Sequence, residues 1–159
     1  MFLYSKKRRC AAVFSCLLTF SLGQAVPAWG QNVIITGLED YNMGIHTVGS
    51  GDKVMTATVC VGKDAGTTEW DLTANGSGVG GIFTLDDGVG NTVTFTVDHL
   101  PATPITAGVT EPLDNADNTA PLNCDGVDNQ SFRVTLPGNV LDGAPAGTYT
   151  GYVEFTATP

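Results

Sequence analysis

Positive charge is scarce in this sequence. Seven lysines and arginines stand against sixteen aspartates and glutamates, and four of the seven, Lys6, Lys7, Arg8 and Arg9, crowd near the start. The remainder keeps Lys53, Lys63 and Arg133 against all sixteen acids, a formal charge of −13. Such a surface repels nucleic acid and anionic headgroups, because both partners are bound by Lys and Arg neutralising phosphate. Neither is expected as a partner. Histidine is rarer still: the two present, His46 and His99, sit in no nucleophile or zinc motif. His99 extends the row Val93, Phe95 and Val97 and reads as the end of a strand. The neighbouring acids Glu39-Asp40 and Asp86-Asp87 would diverge on strands instead of facing each other as an acid and base pair. With no catalytic grouping, the chain is not expected to be an enzyme, and no cofactor is implied.

Long apolar runs are also missing. The one sustained stretch, Cys10 to Leu22, is shorter than the roughly 20 residues a membrane-spanning helix needs. Its basic flank, its apolar centre and the small Ala28 and Gly30 around Trp29 instead make residues 1–30 a secretory signal peptide, cleaved after Gly30. A lipoprotein box at Val13-Phe14-Ser15-Cys16 is disfavoured by its Phe. A twin-arginine signal at Arg8-Arg9 lacks the strongly apolar residue two places on. Residues 31–159 then form one domain, expected in the periplasm, on the cell surface or outside the cell.

Cysteine follows the same division. Cys10 and Cys16 lie in the signal, so Cys60 and Cys124 are left, with a single intramolecular pairing in an oxidising compartment. The bridge would close a loop worth about 4 kcal/mol on the chain-entropy model. No second Cys or His lies at metal-ligand spacing.

What is present is a period of two. Tyr149, Val153, Phe155 and Ala157 share one face of Thr148–Thr158, with Gly151 in the same row and Thr150, Glu154, Thr156 and Thr158 opposite. That is a strand with one buried side. The same alternation runs through Met55–Val61, Trp70–Ala74, Val93–Val97 and Phe132–Leu136, and shorter strands are expected over 32–37, 41–45, 82–85 and 105–109. Gly49-Ser-Gly-Asp, Asn75-Gly-Ser-Gly-Val-Gly-Gly and Ala144-Pro-Ala-Gly supply turns between them. No stretch carries a helical stripe. Short strands with frequent turns call for an all-β fold, and an immunoglobulin-like β-sandwich is preferred to a barrel. Residues 111–130, rich in Asp, Asn and Pro, read as a long loop pinned at Cys124 and as a candidate binding surface. Its Asp114, Asp117, Asp125 and Asp128 are weak calcium candidates, since their spacing matches no EF-hand loop. Asn75-Gly-Ser and Asn129-Gln-Ser match the glycosylation triplet.

Four segments carry a family resemblance: Leu38-Glu-Asp-Tyr-Asn-Met-Gly44, Lys53 to Val61 with its cysteine, Trp70-Asp-Leu-Thr-Ala-Asn-Gly76, and Pro145-Ala-Gly-Thr-Tyr-Thr-Gly-Tyr-Val-Glu-Phe-Thr-Ala-Thr-Pro159. Together they resemble the spore coat protein U family, which includes pilin subunits of archaic chaperone–usher systems. The resemblance implies a sandwich lacking its last strand, completed by a periplasmic chaperone and then by a neighbouring subunit through strand addition. It implies an usher as a further partner, self-polymerisation as one mode of assembly, and a role in cell adhesion. Tyr149, Val153, Phe155 and Ala157 would floor the accepting groove. Family pilins carry a donor extension ahead of the first strand, whereas here only residues 31–37 precede the Leu38 motif. Either that stretch is the donor, through Val33 and Ile35, or none is present and the protein is a tip subunit or a stand-alone secreted or periplasmic binding module.

Overall fold

The computed structural model describes residues 2–3, 33–63, 70–101, 103–113 and 124–159. The expected signal peptide lies outside the described residues, apart from the backbone of Phe2–Leu3. In chain order the strands are β1 (Phe2–Leu3), β2 (Val33–Thr36), β3 (Tyr41–Asn42), β4 (Lys53–Lys63), β5 (Trp70–Gly76), β6 (Thr84–Asp86), β7 (Thr92–Thr94), β8 (Thr96–His99), β9 (Thr103–Ile105), β10 (Thr110–Leu113), β11 (Gln130–Leu136), β12 (Thr150–Gly151) and β13 (Val153–Thr158). One short helix, α1 (Gly138–Gly143), follows β11. Among the described residues no helix is long and apolar enough to cross a membrane.

The strands form an all-β sandwich. One sheet runs β2-β4-β11-β8-β9, a second runs β10-β5-β13, and a third, β3-β1-β12-β6-β7, continues the second at one end. The period-two pattern sets the faces. Phe132, Val134 and Leu136 of β11 turn inward against Trp70, Leu72 and Ala74 of β5, and Leu85 and Val93 close the core from the third sheet. Each such side chain contributes about 1.5–3 kcal/mol when fully removed from water. Between β11 and β8 the outward residues pair instead, with Arg133 bonded to Asp98 at 2.8 Å. Cys60 on β4 is bridged to Cys124 in the turn before β11, a link across 64 positions.

The structure departs from the sequence reading in six places. Val93–Val97 is interrupted at Phe95, between β7 and β8, which belong to different sheets, and of the strand expected over 105–109 only Ile105 is strand, at the end of β9, with 106–109 forming the turn to β10. Thr148–Thr158 is not one strand: it breaks at Tyr152 into β12 and β13. A Cβ on Gly151 would lie 2.6 Å from the Thr84 carbonyl oxygen, so only glycine allows β12 to approach β6 so closely. Residues 111–113 are strand, not loop. β10 lies on the outer edge of β5, where Pro112 is tolerated because an edge strand need not donate on its free side. The strand expected over 41–45 stops at Asn42. Helix α1 was not foreseen, because six residues are too few to show an apolar stripe; it packs on β7 and half-buries Val140 and Leu141.

Candidate functional site

The most conspicuous feature is an open strand position beside β12 and β13. β13 pairs antiparallel with β5 on one side, with Val153 opposite Gly76, Phe155 opposite Ala74 and Ala157 opposite Leu72. Among the described residues no strand pairs with its other edge. The chain leaves β5, makes a turn and resumes as β6 against Thr150, so β5 and β6 flank the same side of the β12–β13 strand. On the opposite side of β12 lies β1. Phe2 faces Thr150 and Leu3 faces Gly151 in parallel pairing, and the other edge of β1 pairs antiparallel with β3, Phe2 to Asn42 and Leu3 to Tyr41. Strands in a sheet lie about 4.8 Å apart. β3 and β12 therefore form the walls of a slot one strand wide, filled at this end by two backbone residues.

The side chains along this edge are less buried than the centre of the core. Tyr149 is buried, and its hydroxyl donates to the Pro145 carbonyl at 2.9 Å. Burial, with Asp87 and Asp86 nearby, pushes its phenol pKa up. Val153, Phe155 and Ala157 pack against the core but stay half-exposed. Phe155 stacks obliquely on Phe132 with ring centres 4.6 Å apart. In β2 and the residues flanking β3, Val33, Ile35, Leu38 and Met43 are likewise half-buried. Apolar residues are thus left incompletely covered along the unpaired edge of β13 and in β2 and the residues flanking β3. Val33 and Ile35 sit in β2, paired with β4 through Val33 to Lys63 and Ile35 to Val61, so in this structure the stretch fills a place in its own sandwich.

The remaining candidates are dispersed. Asp114 and Asp117 lie outside the described residues. Asp125 is exposed, while Asp128 accepts a bond from the Thr58 hydroxyl at 2.8 Å. Among the described residues no three His, Cys, Asp or Glu side chains are placed to hold a metal ion. His99 ends β8, buried, with Nε2 2.6 Å from Oε1 of Gln130. That pair lines a cavity of about 760 Å3 together with Pro101, Pro112, Leu113 and Ser131. The Asn129 side chain is committed elsewhere, its amide bonding both the N–H and the C=O of Val61.

One cluster escaped the sequence. His46 Nε2 lies 2.6 Å from Oδ1 of Asp142, and Ser50 Oγ lies 3.1 Å from His46 Nδ1. The Gly49 N–H also donates to Oδ1 of Asp142, at 3.0 Å. The His46 hydrogen bond and the Gly49 N–H hold the Asp142 carboxyl below its ordinary pKa. His46 and Ser50 are four apart in one loop, but nothing in the sequence signals a partner ninety-six positions away.

No family model matches the sequence, and no curated protein matches it. Among solved structures, one chain of a chaperone–tip adhesin complex described as vital for the synergistic activation of CFA/I fimbriae biogenesis superposes with a TM-score of 0.61 at 16% identity. The match covers 80% of this chain and 41% of that one, so this chain spans less than half the length of its neighbour. At this identity the likeness is one of fold.

Proposed function

We propose that this chain is an exported structural subunit of a pilus or surface appendage, completed by a strand that another chain supplies. The slot between β3 and β12 carries the reading: a backbone segment pairs with both walls there, and the neighbouring edge of β13 has no partner among the described residues. Cleavage after Gly30 removes β1 and vacates the position. A periplasmic chaperone and then a neighbouring subunit, delivered through an usher, would fill it with alternating apolar side chains seated over Val153, Phe155 and Ala157. The fold shared with a chain of a fimbrial complex supports this reading.

A stand-alone secreted or periplasmic binding module is the second reading. An open pocket favours it, because apolar Pro112 and Leu113 of β10 and polar His99 of β8 and Gln130 of β11 converge there. Thermal unfolding of purified residues 31–159 separates the two. A monomer that melts cooperatively at high temperature, unaffected by an added chaperone or strand peptide, overturns the subunit reading. Early melting or aggregation, rescued by the added strand, supports it.

A further inference from the structure

Once β1 is gone, β3 has no backbone pairing partner among the described residues, since β1 is the one strand it pairs with. Tyr41–Asn42 must nevertheless stay at strand spacing from β12 if a new strand is to bond both walls. The chain leaving this wall runs from Asn42 through His46 to Asp52, and the chain entering the other wall runs from α1 through Asp142 to Thr150. These two segments are tied to each other directly. Asp142 accepts from His46 and from the Gly49 N–H, and Asp52 accepts from the Gly138 N–H at the start of α1, at 2.7 Å. Gly138 itself lies so close to Gly51 that a Cβ would meet backbone at 2.5 Å. Helix α1 is in turn seated on β7. The β3 wall is therefore tied to the β12 wall through two carboxylates, Asp142 and Asp52, and through the close packing of Gly51 on Gly138.

The geometry assigns His46, Asp142 and Ser50 as positioning residues that hold the two walls of the slot at strand-accepting spacing, a clasp that acid opens. This inference rests on the strand-accepting reading and adds a control to it. Among the described residues the groups bonded to the clasp are few. Asp142 meets His46, and His46 meets Asp142 and Ser50. Asp52 is engaged at the other end of α1, and β7 beneath the helix carries only Thr92, Val93 and Thr94. A neutral imidazole donates from Nε2 to Asp142 and accepts the Ser50 hydroxyl at Nδ1; a protonated one donates from both nitrogens. Charging His46 therefore leaves the clasp closed, and protonating Asp142 removes its charge-assisted bonds. Because the folded carboxyl titrates below its ordinary value, the tie is complete above the usual aspartate range and is lost as pH falls through the depressed one. The order Ser–His–Asp resembles a hydrolase triad, yet none of its members lines the cavity, and the nearby Gly49 N–H is bound to the carboxylate.

The test uses the purified, processed protein and a labelled peptide of residues 1–7, which contains the Phe2–Leu3 pair whose backbone lies in the slot. Binding is followed by anisotropy from pH 7 to pH 3 in wild type, Asp142→Ala and Asp142→Asn. Hydrogen exchange of residues 41–49 and 138–143 is followed in the same samples. Asp142→Ala should weaken binding about tenfold at pH 7 and speed exchange in both segments. Asp142→Asn keeps an acceptor oxygen for His46 and Gly49, so it should bind within about twofold of wild type and lose less affinity in acid. Because every other carboxylate is unchanged in that variant, general acid unfolding would weaken it equally. Wild-type binding with an unaffected Asp142→Ala overturns the clasp and leaves the slot standing. Equal acid sensitivity of wild type and Asp142→Asn also overturns it. No peptide binding to wild type at any pH overturns the strand-accepting reading, and the clasp with it.

Discussion

Phe155→Asp is the sharpest probe of the edge that carries the proposed function. The Phe155 ring stacks on Phe132 at 4.6 Å, lies opposite Ala74 on β5 and is half-buried. Deleting a fully buried Phe side chain costs about 3–5 kcal/mol. Half burial reduces this to about 2 kcal/mol for Phe155→Ala, part of it from the lost ring pair. Aspartate adds a charge facing apolar neighbours, so its effect should exceed that of alanine. For a domain of this size about 4 °C of Tm accompanies each kcal/mol. The alanine variant should therefore melt about 8 °C lower, and the aspartate variant lower again. Thr156→Asp, on the exposed face of the same strand, is the control and should stay within about 0.5 kcal/mol of wild type. Differential scanning calorimetry reads all three. Equal melting of Phe155→Asp and Thr156→Asp would mean that the faces of β13 are reversed, and the slot argument would fail with them.

Alkylation of the non-reduced, unfolded protein should add no mass at Cys60 or Cys124, whereas reduction should expose both and lower stability by about 4 kcal/mol on the chain-entropy model. Labelling of both thiols without reduction would contradict the bridge. Asn129→Ala removes the amide that satisfies both the N–H and the C=O of Val61. Chemical denaturation should show a loss of about 1–3 kcal/mol, as expected when backbone groups lose their partners. Asp87 is held below its ordinary pKa mainly by the Asn91 side-chain amide, with the Val89 and Asn91 N–H groups helping. Its contribution is present above the usual aspartate range and lost as pH falls through the depressed value. A Tm–pH profile should therefore fall more steeply in acid for wild type than for Asp87→Asn, and parallel profiles would remove Asp87 as a cause.

Strand identity was legible along most of the chain, because alternation of Val, Phe, Leu and Thr is a local property read directly from neighbours two apart. Phe132, Val134 and Leu136 turn inward as their alternation requires, and so do Trp70, Leu72 and Ala74. The pairing of Cys60 with Cys124 was legible by elimination once export was assumed. Helix α1 and strand β10 were not. Gly138–Gly143 is too short to reveal a period, and residues 110–113 pair only because β5 offers a free edge, which no local pattern records.

The sequence by itself determined the acidic surface, the all-β class and the inward row of the last strand, each a consequence of residue type or short-range spacing. Only the tertiary structure decided where the open position lies and what borders it. The walls of the slot come from residues 41–42 and 150–151, and the tie beyond them joins His46 to Asp142. Contacts between residues so far apart are set by how the strands cross between sheets, and a period of two contains no information about that order.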